Sequence, residues 1–563
     1  MSDREFARDA SVGPVPQRQV SMNNIVFGFE TPANEPARTF APGSESRESV
    51  RQALSTAGTV EREIPLIIGG REIRTGVMAT VRNPCRHGQT LARVHQAREA
   101  DVEAAIAAAL AAKRDWETMS WVERASISLK AADLIATKYR EQVLAATMLG
   151  QGKNIHQAEI DAVCETVDFL RYNASFASGI YAEQPRSGFE QLNRLEYRPL
   201  EGFVLTVSPF NFTAIGSNLN MAPVLMGNTT VWKPASTALL SSYLLMQIFR
   251  EAGLPDGVIN FVPGSGSLIG RVAMRHRDLA GLHFTGSNGT FNQLWRGISE
   301  RLEGYRAYPR IVGETGGKGF VFVHASADAH EVATAIVRGG FEYQGQKCSA
   351  ASRAYIPRSL WPAVETALLE MVGRIRTGDV GDFRNFMNAV IDEASFDNIM
   401  GYIERAKAAP DASILAGGRG DKTEGYFIEP TLILTTNPHF QTMEEEIFGP
   451  VVTLFVYEDE DWRAALDLCD TTSPYALTGA VFSRDRYAFT EACRVLRHAA
   501  GNFYLNDKPT GAMVGLQPFG GARASGTNDK AGGPLNLLRW VSPRTIKETF
   551  VPARSFEYPF MQE

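Results

Sequence analysis

One cysteine of the 563-residue chain stands apart from the other four. Cys348 closes Gly345-Gln346-Lys347-Cys348 and precedes Ser349, where a helical stretch gives way to a loop with polar, cationic and flexible neighbours. A thiol in that setting is a candidate nucleophile. It acts as the thiolate, so its surroundings are expected to lower its pKa. Cys164, Cys469 and Cys493 fall in helical stretches and nothing marks Cys85, so all four read as small buried hydrophobes. Four further segments place polar groups in unusual company. Gly313-Glu314-Thr315-Gly316-Gly317-Lys318 leads an acid into a Gly-Gly turn, and Ser208-Pro209-Phe210-Asn211-Phe212 sets an amide between two aromatic rings. Trp232-Lys233-Pro234 ends a buried strand on a cation, and Glu446-Ile447-Phe448-Gly449-Pro450 is the fourth. Each alone has an ordinary reading: Glu314 in a surface turn, Asn211 as a helix cap.

The elements around these residues follow from the apolar pattern. Short apolar runs at 203–207, 229–232, 258–262 and 281–284 alternate with helical stretches and end at Pro or Gly. That alternation predicts a parallel sheet with helices on its faces, an α/β fold. Such sheets bind ligands at the carboxyl ends of their strands, where Pro209, Lys233, Gly264 and Gly286 fall. Gly264-Ser265-Gly266 does not complete the G-x-G-x-x-G fingerprint, and Lys233 stands where an ordinary Rossmann domain has its ribose-binding acid. A second alternating region starts with a strand at 320–323, and its helix at 329–342 leads directly to Cys348. Upstream, 101–139 and 157–177 read as helical. Residues 185–199 and 540–563 read as extended, the latter aromatic and interrupted by Pro543, Pro552 and Pro559. Detached strands of that kind often pair with another subunit. Residues 1–50 read as an arm that wraps a surface or stays loose.

Composition narrows the class. Hydrophobic residues make up 44% and charged residues 21%, as in soluble globular proteins, and the length calls for two or three domains. A net charge of -6 without a basic stripe argues against nucleic acid, and no run is long enough for a membrane span. Five widely spaced cysteines suit a reducing compartment, and no Cys or His cluster has metal-ligand spacing. The N-terminus lacks a secretory core, and Asp3, Glu5 and Asp9 disfavour a transit peptide, so a cytoplasmic location is expected.

Together the five segments resemble the aldehyde dehydrogenase superfamily in order and spacing, from about Val26 to the C-terminus. Residues 210–216, Gly150-Gln151-Gly152-Lys153 and 517–530 are similar to its Δ1-pyrroline-5-carboxylate dehydrogenase branch in the separate, monofunctional form. That branch oxidises L-glutamate γ-semialdehyde to glutamate in proline breakdown. The resemblance implies an aldehyde-dehydrogenase fold: an arm (1–50), a Rossmann-like NAD-binding domain (51–180 and 200–312), an α/β catalytic domain (313–510) and oligomerisation strands (181–199 and 540–563).

It also implies roles. Cys348 would add to the aldehyde, Asn211 and the Cys348 N–H would hold the oxyanion, and Glu314 would activate water against the thioester. Ser208 and Pro209 would touch the nicotinamide side, Lys233 the adenosine ribose, and Gly286, Ser287, Asn288, Gly289 and Thr290 the pyrophosphate at a helix N-terminus. Glu446 and Phe448 would hold the nicotinamide ribose. Ser349, Gly511 and Ala512 would bind the substrate carboxylate, Phe212 and Phe519 its stem, and Glu165 would sit near its ammonium. NAD is expected over NADP, because no Arg beside Lys233 invites a 2′-phosphate, and a homodimer at least is expected. The chain departs from the usual pattern twice. Phe291 stands where many family members have Gly, a form that suits this branch, and Ala512 stands where the branch often has Ser. Ala512 keeps another short polar aldehyde open as substrate. A non-catalytic binding protein on this fold is the reading from a different class.

Overall fold

The structure is a computed structural model, and it describes residues 28–562. Two seven-stranded sheets carry the architecture. In the first, the strands run in the order Arg310–Glu314, Leu279–Thr285, Phe203–Val207, Thr229–Lys233, Ile259–Phe261, Leu66–Ile68, Arg71–Ile73. The first five are parallel, and the last two join antiparallel. Phe203, Val204 and Leu205 are fully buried, as a parallel strand covered on both faces must be. Helices Glu99–Trp116, Gly266–Arg275 and Asn288–Ser299 pack one face through Ala105, Ala109, Ile269 and Leu294. Helices Trp121–Ala136, Thr166–Ala182 and Thr213–Leu225 pack the other through Ala125, Ala177 and Leu225.

From Phe203–Val207 the chain first adds strands on one side and then returns to add Leu279–Thr285 on the other. The order therefore reverses between these two neighbours, and a crevice opens beyond their carboxyl ends. Ser208 and Gly286 begin its two rims.

The second sheet runs Ala412–Ala416, Thr431–Thr435, Val451–Tyr457, Ala351–Pro357, Gly319–Val323, Thr478–Phe482, Asn502–Leu505, parallel but for its first strand. Cys348 lies just before the amino end of Ala351–Pro357, and the turn after Glu314 enters Gly319–Val323. The second sheet thus offers its amino ends to the crevice at the carboxyl ends of the first.

Several boundaries differ from the sequence reading. The stretch 101–139 is two helices, because Ser120 and Glu123 cap each other and start a new one at Trp121. The helix expected over 157–177 contains a π-helical turn, Glu159–Glu165, before Thr166–Ala182. The edge strand of the first sheet runs through the expected 312/313 boundary to Glu314. Residues 181–182 complete a helix, and the paired strands of the extension are Gln191–Pro199 and Val541–Thr549.

The expected arm of 1–50 ends at Ser44, which caps helix Glu45–Thr59. Its part from 28 to 43 is tied down: Asn34 donates to Asp168 at 2.7 Å, and Glu35 bridges Arg140 and Arg171 at 2.8 Å each. Residues 1–27 lie outside the described residues. Among the described residues no helix is long and apolar enough to cross a membrane.

Candidate active site

Helix Ala329–Phe341 does not run straight into Cys348. After it, Tyr343 and Gln344 take left-handed backbone angles, φ 53° and 55°, followed by Gly345 at 67°. Each such non-glycine residue costs roughly 1–3 kcal/mol unless its surroundings hold it. The surroundings do. Tyr343 donates to the Gln151 carbonyl at 3.0 Å, and Gln344 donates to the Gly152 and Ala389 carbonyls at 2.8 Å each. The Ile391 N–H donates to the Gln346 side chain at 2.9 Å. Gly150-Gln151-Gly152-Lys153 is therefore the seat of the loop that carries Cys348. Gly316 and Gly317 let the Glu314 turn approach from the other side. A Cβ at Gly317 would lie 2.1 Å from the Cys348 carbonyl oxygen, and one at Gly316 2.2 Å from the Glu446 carboxylate.

Asn211 reaches the same loop from the first sheet. Its buried amide donates to the Gln346 carbonyl at 3.0 Å, and its second N–H has no partner among the described residues. The π-helical turn fixes it indirectly. Asp161 accepts the Thr213 and Ala214 N–H groups at 3.0 Å, which caps the helix just beyond Asn211, and it pairs with Lys153 at 2.6 Å. Asp161 and Lys153 are both buried, and the Lys153 ammonium lies 4.1 Å from the Phe212 ring centre.

Two carboxyl groups face the thiol. Glu314 ends its strand against Gly520 and Gly526, and its Oε2 is buried without a hydrogen-bond partner among the described residues. Burial pushes this carboxyl well above the ordinary value. Lys530 pulls it down and Asp529 pushes it up. Lys530 is held by the Gly501 and Gly520 carbonyls at 2.8 and 3.1 Å. Glu446 accepts the Gly317 N–H at 2.8 Å, and burial pushes it up to about 7.

The expectation of a lowered Cys348 pKa is overturned. Burial, then the Glu446 and Glu314 carboxylates, push the thiol up. Lys347 adjoins it in sequence, but its ammonium turns to Glu342 at 3.2 Å. Burial therefore favours the protonated form of both groups in the free protein.

The residues expected at the cofactor line the rims of the crevice. Ser208 accepts the Trp232 indole N–H at 3.0 Å, which leaves Pro209 and Phe210 at the mouth. Phe210 meets Phe448 edge to face at 5.8 Å, and Phe448 holds a left-handed φ of 58°. Lys233 is half-buried, its ammonium has no partner among the described residues, and burial lowers its pKa. Ser287 caps helix Asn288–Ser299, and the space beside Gly289 is open. Asn288 and Thr290 stand at that N-terminus, with Asn288 donating to the Ala524 carbonyl at 2.9 Å. Gly286 donates its N–H to the Glu314 carbonyl at 3.2 Å and so ties this rim to Glu314. A half-buried lysine without a partner among the described residues, an open helix N-terminus and an aromatic pair suit an anionic dinucleotide. Phe291 fills the space over Gly313, where a Cβ would lie 2.2 Å from its ring, and stacks on Phe284 at 5.5 Å.

At the other end, Ser349 and Thr510 hydroxyls bond at 2.8 Å, which brings the Gly511–Ala512 turn beside the nucleophile. Gly511 takes φ 100°. Phe519 exchanges backbone bonds with Ala531 at 2.8 Å, an isolated antiparallel bridge next to Lys530. Glu165 ends the π-helical turn, where burial and then Asp161 push its carboxyl up to about 8. Neither Asp161 nor Lys530 stands out by itself in the sequence, since an acid or lysine acquires such contacts only through the fold. Among the described residues no group of His, Cys, Asp or Glu could hold a metal ion.

Residues 74–546 match the aldehyde dehydrogenase family. The chain is 53% identical over 534 residues to the mitochondrial delta-1-pyrroline-5-carboxylate dehydrogenase of Dictyostelium discoideum, covering 94% of this chain and 96% of that one. It is 48% identical over 531 residues to the Homo sapiens enzyme of the same name, covering 94% of each. The fold overlays the crystal structure of the delta-pyrroline-5-carboxylate dehydrogenase from Mycobacterium tuberculosis bound with NAD at a TM-score of 0.93 and 50% identity, covering 96% of this chain and 100% of that one. With the motifs, the fold and the comparisons in agreement, the chain belongs to the aldehyde dehydrogenase family.

Proposed function

We propose that this chain oxidises L-glutamate γ-semialdehyde, the open form of 1-pyrroline-5-carboxylate, to L-glutamate with NAD. The Cys348 thiol gives up its proton to solvent and its sulfur adds to the aldehyde carbon, and the carbonyl oxygen becomes an oxyanion that accepts from the Asn211 amide and the Cys348 N–H. Bound NAD supplies the acceptor for the hydride that leaves this carbon, and a thioester on Cys348 remains. Glu314, in its ionised form, then takes a proton from water as the water attacks the thioester and Cys348 leaves as the thiolate. Lys233 and the 286–290 turn from the first-sheet half of the chain, and Glu446 and Phe448 from the second, would hold the dinucleotide.

The observation that carries the substrate reading is the 2.8 Å bond between Ser349 and Thr510. It supports a carboxylate site near Cys348 in which Ser349 and the Gly511 and Ala512 N–H groups would be the donors. Phe212 and Phe519 would flank the stem, with Glu165 toward the ammonium. Ala512 supports a second reading, another short polar aldehyde, because no hydroxyl is offered there. A homodimer is proposed because the Gln191–Pro199 and Val541–Thr549 extension carries exposed Phe189, Phe550 and Phe556 at its end. A cytoplasmic location is proposed on the five free cysteines, although several relatives are named mitochondrial.

The test is NADH formation with pyrroline-5-carboxylate, beside acetaldehyde, succinic semialdehyde and an NADP control. Strong preference for pyrroline-5-carboxylate with NAD is expected. Equal or better turnover of another aldehyde would discard the substrate and keep the chemistry.

A further inference from the structure

Two lysines and one glutamate form a cluster between the nucleophile loop and the Gly511 turn. Glu342 Oε2 accepts from Lys508 Nζ at 2.9 Å and from Lys347 Nζ at 3.2 Å. Burial works against the Glu342 carboxylate, yet Lys347 and Lys508 hold it down at about 2. Two cations on one anion leave an excess positive charge. Lys347 and Glu342 are buried, whereas the Lys508 side chain keeps 23% of its surface exposed, so the excess is reachable from solvent through Lys508.

The backbone directs that charge. Pro509 and Thr510 are buried, and Pro509 packs on Gly339 at the end of helix Ala329–Phe341, so the turn is fixed. A Cβ placed on Gly511 would stand 3.6 Å from Lys508 Nζ. Thr510, between them, bonds Ser349. The ammonium therefore lies against the turn whose N–H groups offer themselves to a substrate head group. Neutralising Glu342 does not require Lys508, since Lys347 already does so.

Resting on the substrate reading above, we propose that Lys508 is a specificity-determining residue: its ammonium, held by Glu342 against the Gly511 turn, selects aldehydes that carry a carboxylate at the far end. Backbone N–H groups bond a carboxylate and a neutral carbonyl alike. A fixed cation in a half-buried wall discriminates by charge.

The test compares Lys508→Met and Lys508→Arg with the wild type on glutamate semialdehyde and on butanal, an uncharged chain of similar length, at low and high ionic strength. For Lys508→Met, kcat/KM on the semialdehyde should fall on the order of tenfold or more, through KM, and far less on butanal. Lys508→Arg should retain most of it. Salt should depress wild-type kcat/KM on the semialdehyde more than that of Lys508→Met. Equal losses on both aldehydes would mean that Lys508 only supports the fold, and no loss on the semialdehyde would mean that it does not sense the carboxylate. Either overturns the inference. A wild type that uses butanal as well as the semialdehyde overturns the substrate reading itself, and this inference with it, before any variant is compared.

Discussion

The side-chain amide of Asn211 donates to the Gln346 carbonyl at 3.0 Å, across a sequence separation of 135. One bond thus sets the distance between the first sheet and the nucleophile loop and aims the remaining amide N–H. Asn211→Ala should lower kcat about a hundred- to a thousandfold, the usual effect of losing one oxyanion donor. Steady-state kinetics on the folded variant would check this, and a change confined to KM would count against the role.

The raised Cys348 pKa predicts slow alkylation of the free protein near neutral pH, with a rate that climbs as the medium becomes alkaline. Glu446→Gln keeps an acceptor for the Gly317 N–H while removing a charge that opposes the thiolate. It should speed alkylation by iodoacetamide. A variant no faster than wild type would show that Glu446 does not hold the thiol up.

Glu314 works against stability. Its folded pKa is raised, so the folded state holds the proton more tightly than the unfolded chain. The stability this proton confers is full below the unfolded carboxylate value and is lost as pH rises through the folded one, so it is the ionised group that opposes the fold. Glu314→Gln should therefore melt about 1–3 °C higher than wild type in mildly alkaline buffer, with a smaller gap in acid. As a base, Glu314 should make thioester hydrolysis fall as pH drops through its raised pKa. Parallel melting curves and a pH-independent hydrolysis rate would contradict both statements.

Phe291 and Gly313 make a complementary pair, ring against missing side chain. Phe291→Ala should cost about 3–5 kcal/mol in denaturant unfolding. Gly313→Ala should be harmful alone and tolerated when Phe291 is already Ala, because the second change enters the space the first vacates. Additive effects in the double variant would contradict the packing.

The crevice is legible in the sequence because apolar runs stop at Val207, Trp232 and Phe284, where Ser208, Lys233 and Thr285 follow. Glu314, Asn211 and Cys348 stand out by their turn-forming neighbours, and the fold brings them to one place. What stayed hidden depends on contacts remote in sequence. The π-helical turn that aims Asp161 has no periodic signature over seven residues. The left-handed Tyr343 and Gln344 are held by Gln151, Gly152 and Ala389. The thiol environment was misread for the same reason: Lys347 is adjacent in sequence and engaged elsewhere, while Glu446, almost a hundred residues on, faces the sulfur.

The most direct test of the central claim is to trap the thioester. Glu314→Gln mixed with pyrroline-5-carboxylate and NAD should release a burst of NADH about equal to the enzyme present and then stall. Mass spectrometry should find the glutamyl acyl group on the peptide that carries Cys348, and Cys348→Ala should show neither burst nor adduct. A burst without an adduct on Cys348, or turnover that survives Cys348→Ala, would contradict the account.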